Sequence, residues 1–231
     1  METNIYAISY KLRRELQRKI LFCLGIFFLF FIVVSLILNF IIFPVANKSD
    51  SMSPDIPAGS FEFVTPLLKN PGRGDVVLLR NYKTAKRSVF SKFCGTFASF
   101  VSFGKWQPFS EHDLGTRPVL RRVVGLPGDT IYIDRYVVFI KPANQNHFLT
   151  EFEITNAKYN AKILVPPSNW DVDFGAKASI SQITLSSDEY FVLGDDRLSS
   201  SDSRIWGPVK HSSIIGECLF LYFPFNKFRL L

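Results

Sequence analysis

At 231 residues, the chain has room for a membrane anchor and one domain large enough to bury its own core. Charged residues make up 20% of it and hydrophobic residues 47%, with 24 phenylalanines, which excludes a disordered chain and points to apolar surroundings. The net charge of +7 comes with no nucleic-acid-binding module, so a lipid bilayer is the expected partner and nucleic acid is not.

Residues 1–19 read as a cytoplasmic basic tail, with Lys11, Arg13, Arg14, Arg18 and Lys19 before the first apolar run. From Ile20 to Phe43 no charge interrupts the sequence, and as a helix this run is long enough to cross a hydrocarbon core about 30 Å thick. A transmembrane helix is predicted over 20–43. A cleaved signal sequence fits less well, because its apolar region spans about 7–15 residues and ends at a small-x-small site, whereas this run ends in Phe43-Pro44-Val45-Ala46-Asn47. The positive-inside bias makes the chain single-pass in the cell (plasma or inner) membrane, N-terminus cytoplasmic, with 44–231 as an extracytoplasmic domain.

Beyond the anchor, strand signals dominate. Val76–Leu79, Thr130–Lys141 with a turn at Asp134-Arg135, Glu189–Leu193 and Glu217–Phe223 are apolar or alternating runs. Pro57-Ala58-Gly59, Asn70-Pro71-Gly72, Leu126-Pro127-Gly128-Asp129 and Gly194-Asp195-Asp196 punctuate them with turn residues. The expected fold is mostly β: an antiparallel ectodomain behind one N-terminal transmembrane helix. Residues 81–118 form a variable basic and aromatic loop, and 130–190 mainly a smaller inserted β region. The cysteines and histidines show no metal-ligand spacing, so neither metal nor other cofactor is expected. Cys94 and Cys218 remain open to a disulfide.

Three strings carry candidate chemistry: Ser49-Asp50-Ser51-Met52-Ser53-Pro54, Arg121-Arg122-Val123-Val124-Gly125-Leu126-Pro127-Gly128-Asp129, and Gly194-Asp195-Asp196-Arg197 continuing through Ser200, Asp202 and Arg204 to Trp206-Gly207. A Ser-Met-x-Pro string alone usually marks a turn. In this order, with Gly74-Asp75-Val76-Val77 between the first two, the strings resemble the type I signal peptidases. That resemblance implies a serine endopeptidase that removes signal peptides from secreted and membrane preproteins after small-x-small sites. It assigns Ser51 as nucleophile, Ser49 and the Ser51 backbone N–H as the oxyanion hole, Ser200 as the residue orienting the base, and Asp129, Asp195, Asp202 and Arg204 as structural residues of the boxes.

The general-base position of that pattern is residue 121, lysine in the family and arginine here. Arginine starts at about 12.5–13.8, so deprotonating it near neutral pH costs roughly 7–9 kcal/mol before any help from its surroundings. Asp196 and Asp50 are carboxylates available to pair with Arg121, and Lys105 and His112 are substitute bases within the loop. Two readings stay open. One is an active peptidase with an unusual base; the other is an impaired paralogue that binds signal peptides or regulates an active signal peptidase, its partner.

Overall fold

The structure is a computed structural model that describes residues 5–68, 70–80, 118–156, 158–163 and 177–231. The expected loop at 81–118 lies, except for Pro118, outside the described residues, and with it Cys94, Lys105 and His112.

The N-terminal helix α1 (Ile5–Leu36) passes through a π-turn over Ile37–Ile41 into strand β1 (Phe43–Ala46). Residues 13–36 are long and apolar enough to cross a membrane, and almost none of that surface is covered by the rest of the chain. The helix starts well before Ile20 because the basic flank contains good helix formers, such as Leu12, Arg13, Glu15 and Lys19, and neither Gly nor Pro. It also stops short of Phe43. Pro44 has no N–H for a helix, Ile42 is already extended, and Phe43 pairs with Val64 across β1 and β2.

The remaining strands are β2 (Phe61–Thr65), β3 (Val76–Leu79), β4 (Val119–Gly125), β5 (Thr130–Asp134), β6 (Val137–Lys141), β7 (Leu149–Thr150), β8 (Ile180–Thr184), β9 (Glu189–Leu193), β10 (Val209–Lys210), β11 (Ile214–Phe223) and β12 (Arg229–Leu230). Among the described residues two single-turn helices accompany them, α2 (Glu151–Ile154) and α3 (Ser203–Trp206). The larger sheet has the order β1-β2-β11-β3-β4-β9-β10, with β12 added to β11; the smaller is β7-β6-β5-β8. Every paired strand is antiparallel. The β5–β6 turn is centred on Arg135 and Tyr136, both with positive φ, one residue later than the predicted position.

Burial explains the patterning. All four residues of β3 are buried: Val76 and Leu78 join a core with Met52, Ile56 and Val64, while Val77 and Leu79 join Val123, Tyr190 and Val192. A strand covered on both faces reads as an unbroken apolar run rather than an alternation. A further core joins the sheets through Val124 and Phe191 on one side and Ile131, Ile133, Val138 and Ile140 on the other. Gly125, at the crossing, has no alternative, since a Cβ there would lie 2.1 Å from Ile131 Cδ1.

Buried charge ties these parts together. Arg122 donates to both Asp195 oxygens at 2.7 and 2.5 Å and to the Gly74 carbonyl at 2.7 Å, and its guanidinium stacks 4.0 Å from the Tyr159 ring centroid. Burial alone would lower its pKa; Asp195 more than reverses that and holds it above the ordinary arginine value. Arg197 pairs with Glu151, which also accepts from the Tyr159 hydroxyl. Asp55 receives Asn160, Arg229 and, at 3.5 Å, Arg122.

One buried carboxyl stands apart. Glu62 is completely buried; its Oε1 accepts from the Ser60 hydroxyl and its Oε2 has no partner among the described residues. Burial pushes its pKa up to about 7, with the Ser60 hydrogen bond pulling the other way. The unfolded chain releases this proton near the ordinary value of 4.5. Between those two values the folded chain holds the extra proton, so this contribution to stability is lost as pH rises through 7. Glu62→Gln is expected to gain about 3 kcal/mol on wild type between pH 4.5 and 8, measured by urea unfolding of the detergent-solubilised chain. In the same assay, Arg122→Met strands the Asp195 carboxylate in the interior and should lower stability by roughly 3–5 kcal/mol.

Candidate active site

The segment after β1 is fixed by its own polar side chains. Asn47 donates from Nδ2 to the carbonyls of Ile56 and Pro57 and accepts from the Ser49 N–H at 3.1 Å. Ser49 caps the short 3-10 turn Asp50–Met52, its Oγ accepting the Ser51 N–H at 3.2 Å, while Asp50 accepts from the Ala58 N–H. Met52 and Ile56, both fully buried, nail the loop to the core. Ser51 is thereby placed on a rigid, sheet-backed turn at 6% exposure.

The end of β9 closes over this turn. The Asp196 N–H donates to the Ser51 carbonyl at 3.0 Å. Gly194 makes that approach feasible, because a Cβ there would meet the Ser200 Cβ at 2.3 Å and the Ser51 carbonyl oxygen at 2.7 Å. Behind it, Asp202 accepts from the Gly194 N–H, the Ser200 hydroxyl and the Arg204 guanidinium. Burial opposes ionisation of Asp202, but the bonds from Arg204, Ser200 and Gly194 outweigh it and hold the carboxyl below its usual range. Arg204 also donates to Ser200 Oγ at 2.9 Å and to the Arg197 carbonyl at 2.6 Å.

Arg121 enters from β4. Its Nη1 donates to Ser51 Oγ at 2.9 Å and to the Leu120 carbonyl at 2.5 Å; its Nε and Nη2 both donate to the Ser201 carbonyl at 2.9 and 2.6 Å. The Trp206 ring centroid lies 5.9 Å away. The Ser49 hydroxyl donates to Ser51 Oγ at 3.0 Å, so two donors converge on one oxygen. Burial, with a smaller push from Arg204, moves the Arg121 pKa down to about 10 against the pull of Asp202 and Asp195. That removes roughly half of the deprotonation cost reckoned from free arginine. At neutral pH the group is still a cation.

Of the residues singled out in the sequence, Ser49, Ser51 and Arg121 meet in one hydrogen-bonded cluster, with Ser200 packed against Gly194 beside it. Ser200 is bonded to Asp202 and Arg204, not to Arg121; the longer side chain of arginine reaches past it to the Ser201 carbonyl. The two donors named for the oxyanion are presently engaged locally, the Ser51 N–H with Ser49 Oγ and the Ser49 hydroxyl with Ser51 Oγ. The expected pairing of Arg121 with Asp196 or Asp50 does not form. Asp196 faces Lys162 at 3.2 Å, and Asp50 is spent on the turn. Asp129 holds its own turn, accepting from Arg73 at 2.5 Å and the Leu126 N–H at 2.7 Å. Asp195 belongs to the Arg122 pair.

Sequence reasoning missed Lys162, Ser201 and Trp206 as neighbours of this cluster. Lys162 arrives through a bridge to Asp196, next to one between Pro54 and Ala161. Its side chain is 59% exposed and paired with Asp196 at 3.2 Å. Trp206 lies within the last of the three strings, and its indole N–H on Ser201 Oγ is the signal that marks the wall behind Arg121. Among the described residues, no group of three or more His, Cys, Asp or Glu is placed to hold a metal.

A family model described as signal peptidase, peptidase S26, matches residues 20–223. Signal peptidase I P of Bacillus subtilis subsp. natto is 27% identical over 202 residues, covering 86% of each chain. Signal peptidase I of Streptococcus pneumoniae is 29% identical over 132 residues, which cover 49% of this chain and 64% of the relative, just under two thirds of its length. The crystal structure of a signal peptidase I from Enterococcus faecalis V583 aligns with 65% of this chain and 97% of its own at 21% identity and a TM-score of 0.33. With a match that spans most of its length, the chain belongs to the signal peptidase family, peptidase S26.

Proposed function

We propose that the chain is a membrane-bound serine endopeptidase that removes signal peptides from preproteins, with Ser51 as its nucleophile. The observation that carries this reading is the convergence of Arg121 Nη1 and the Ser49 hydroxyl on Ser51 Oγ. Both donors favour an alkoxide-like oxygen at the moment it attacks a peptide carbonyl. As the tetrahedral oxyanion forms, Ser49 and the Ser51 N–H exchange their mutual bonds for the new anion. Asp202 and Arg204 set the loop that bears Ser200 and Ser201, so their part is positioning.

The base is the point of difference from a lysine-bearing site. With a pKa near 10, about one Arg121 in a thousand is neutral at pH 7, a debit of about 4 kcal/mol, and that fraction grows tenfold per pH unit. The cleavage rate therefore rises with pH toward 10.

In this reading residues 1–19 lie in the cytoplasm, the apolar part of α1 from Ile20 onward enters the membrane and 44–231 work on the far side, as the flanking charge bias supports. Phe61 and Phe63 on β2 pack in tilted and edge-on contacts against Phe220, Tyr222 and Phe223 on β11, next to the exposed Phe225, Phe228 and Leu230. This aromatic flank rests on the lipid surface from which a signal peptide arrives.

A second reading is favoured by the direction of the Arg121 bond, which donates to Ser51 Oγ where a base must accept. It makes the chain a signal-peptide binder that assists an active peptidase without cutting. Cleavage of a signal peptide with a small-x-small site by the detergent-solubilised chain, followed from pH 6 to 10, separates the two. Expected are a wild-type rate that climbs with pH, a loss of about a thousandfold or more in Ser51→Ala, and a higher rate at pH 7 in Arg121→Lys. A rate indifferent to Ser51→Ala overturns the nucleophile; cleavage by Arg121→Lys alone establishes the binder.

A further inference from the structure

We propose, building on the reading just given, that the Ser51–Arg121 cluster is a receptor for a peptide carboxylate, and retains the cleaved signal peptide through its newly formed C-terminus. The argument begins with charge. Arg121 is 5% exposed, and its four hydrogen bonds go to two carbonyls and one hydroxyl, none of them anionic. Each carboxylate in the neighbourhood is taken: Asp202 by Arg204, Asp195 by Arg122, Asp196 by Lys162, and Asp50 by the Ala58 N–H. Among the described residues, the guanidinium is therefore hydrogen-bonded by dipoles alone; Asp202 and Asp195 pull on it only from a distance, each already paired with another arginine.

A buried cation with no carboxylate in contact carries a desolvation penalty that an anion bound directly to it relieves. A lysine in this place can shed its proton and become neutral; arginine keeps its charge at neutral pH. Arginine also presents parallel donors matched to the two oxygens of a carboxylate. Of the five guanidinium N–H groups, one on Nη2 has no partner among the described residues, and Nη1 already points at Ser51 Oγ.

The reaction places a carboxylate there. Water adds to the acyl carbon of the ester on Ser51, the bond from that carbon to Oγ breaks, and Oγ takes a proton. The released peptide ends in a carboxylic acid, which loses one proton to solvent at neutral pH. The anion appears within hydrogen-bond reach of the fixed cation, and the signal peptide, the second product to be released, leaves slowly. A neutral lysine gives no such hold.

The test uses the reaction's own acid product and its uncharged amide analogue, so no cleavage is needed. A signal peptide ending in Ala-x-Ala, made as the free acid and as the C-terminal amide and labelled at its N-terminus, is titrated with the full wild-type chain in detergent at pH 7 by fluorescence anisotropy. The acid is expected to bind at least about tenfold more tightly than the amide, and Arg121→Met, with its fold checked by circular dichroism, to shrink that ratio to within about twofold. Should Arg121→Met not fold, the wild-type chain decides: binding of the acid must weaken to that of the amide between pH 6 and pH 3, as the peptide carboxyl protonates. Equal binding of acid and amide at pH 7 overturns the carboxylate receptor and leaves the peptidase reading intact. Failure of both peptides to bind removes the two readings together.

Discussion

Low-dielectric pairing of guanidinium with carboxylate is the constraint on which this molecule rests. Arg122–Asp195, Arg197–Glu151 and Arg204–Asp202 are all buried, and each joins segments distant in sequence or braces the turn after β9. Removing both members of such a pair for well-packed apolar groups is often neutral, whereas removing one is not. The pairs thus act less as a source of stability than as a rule that the segments meet in one arrangement. Gly194 then lets the Ser51 turn and the Ser200 loop share a space that any side chain would fill.

Against that background Arg121 and Arg122 are instructive, being identical residues side by side on β4. Consecutive strand residues project to opposite sides. One meets Asp195 and is held above the ordinary arginine value; the other finds only carbonyls and a hydroxyl and is pushed down to about 10. The difference belongs to the surroundings and not to the side chain. It turns one arginine into scaffold and leaves the other with a charge that no carboxylate contacts, beside Ser51 Oγ.

Much of this was readable beforehand where periodicity and burial agree. Val76–Leu79 and Glu189–Leu193 coincide with β3 and β9 because both are buried apolar runs with turn residues beside them. The hairpin at 130–141 was legible but its turn was not: Arg135 and Tyr136 take positive φ, where Gly, Asn or Asp is the usual sign. The anchor was visible as an uncharged run, yet its ends were not, since helix propensity carries it back through the basic flank and Pro44 turns its tail into strand. The cluster of Ser49, Ser51 and Arg121 rested on a resemblance of short strings. What escaped was long-range: Asp55 as a meeting point of Arg122, Arg229 and Asn160, and Lys162 brought beside Asp196, for which no local pattern exists.

The junction between α1 and the sheet has a mechanical meaning. Thr65 Oγ1 donates to the Ile41 carbonyl at 2.7 Å, and β1 starts two residues later, already laced to β2. A flexible linker lets an active serine sample a broad shell of heights; a strand fastened at both ends is a strut. With α1 in a bilayer, Ser51 stands at one fixed elevation, and under the proposed function that elevation sets where along a membrane-embedded substrate the chain can reach. Lengthening the strut by glycines would blur that ruler without touching a single atom of the site.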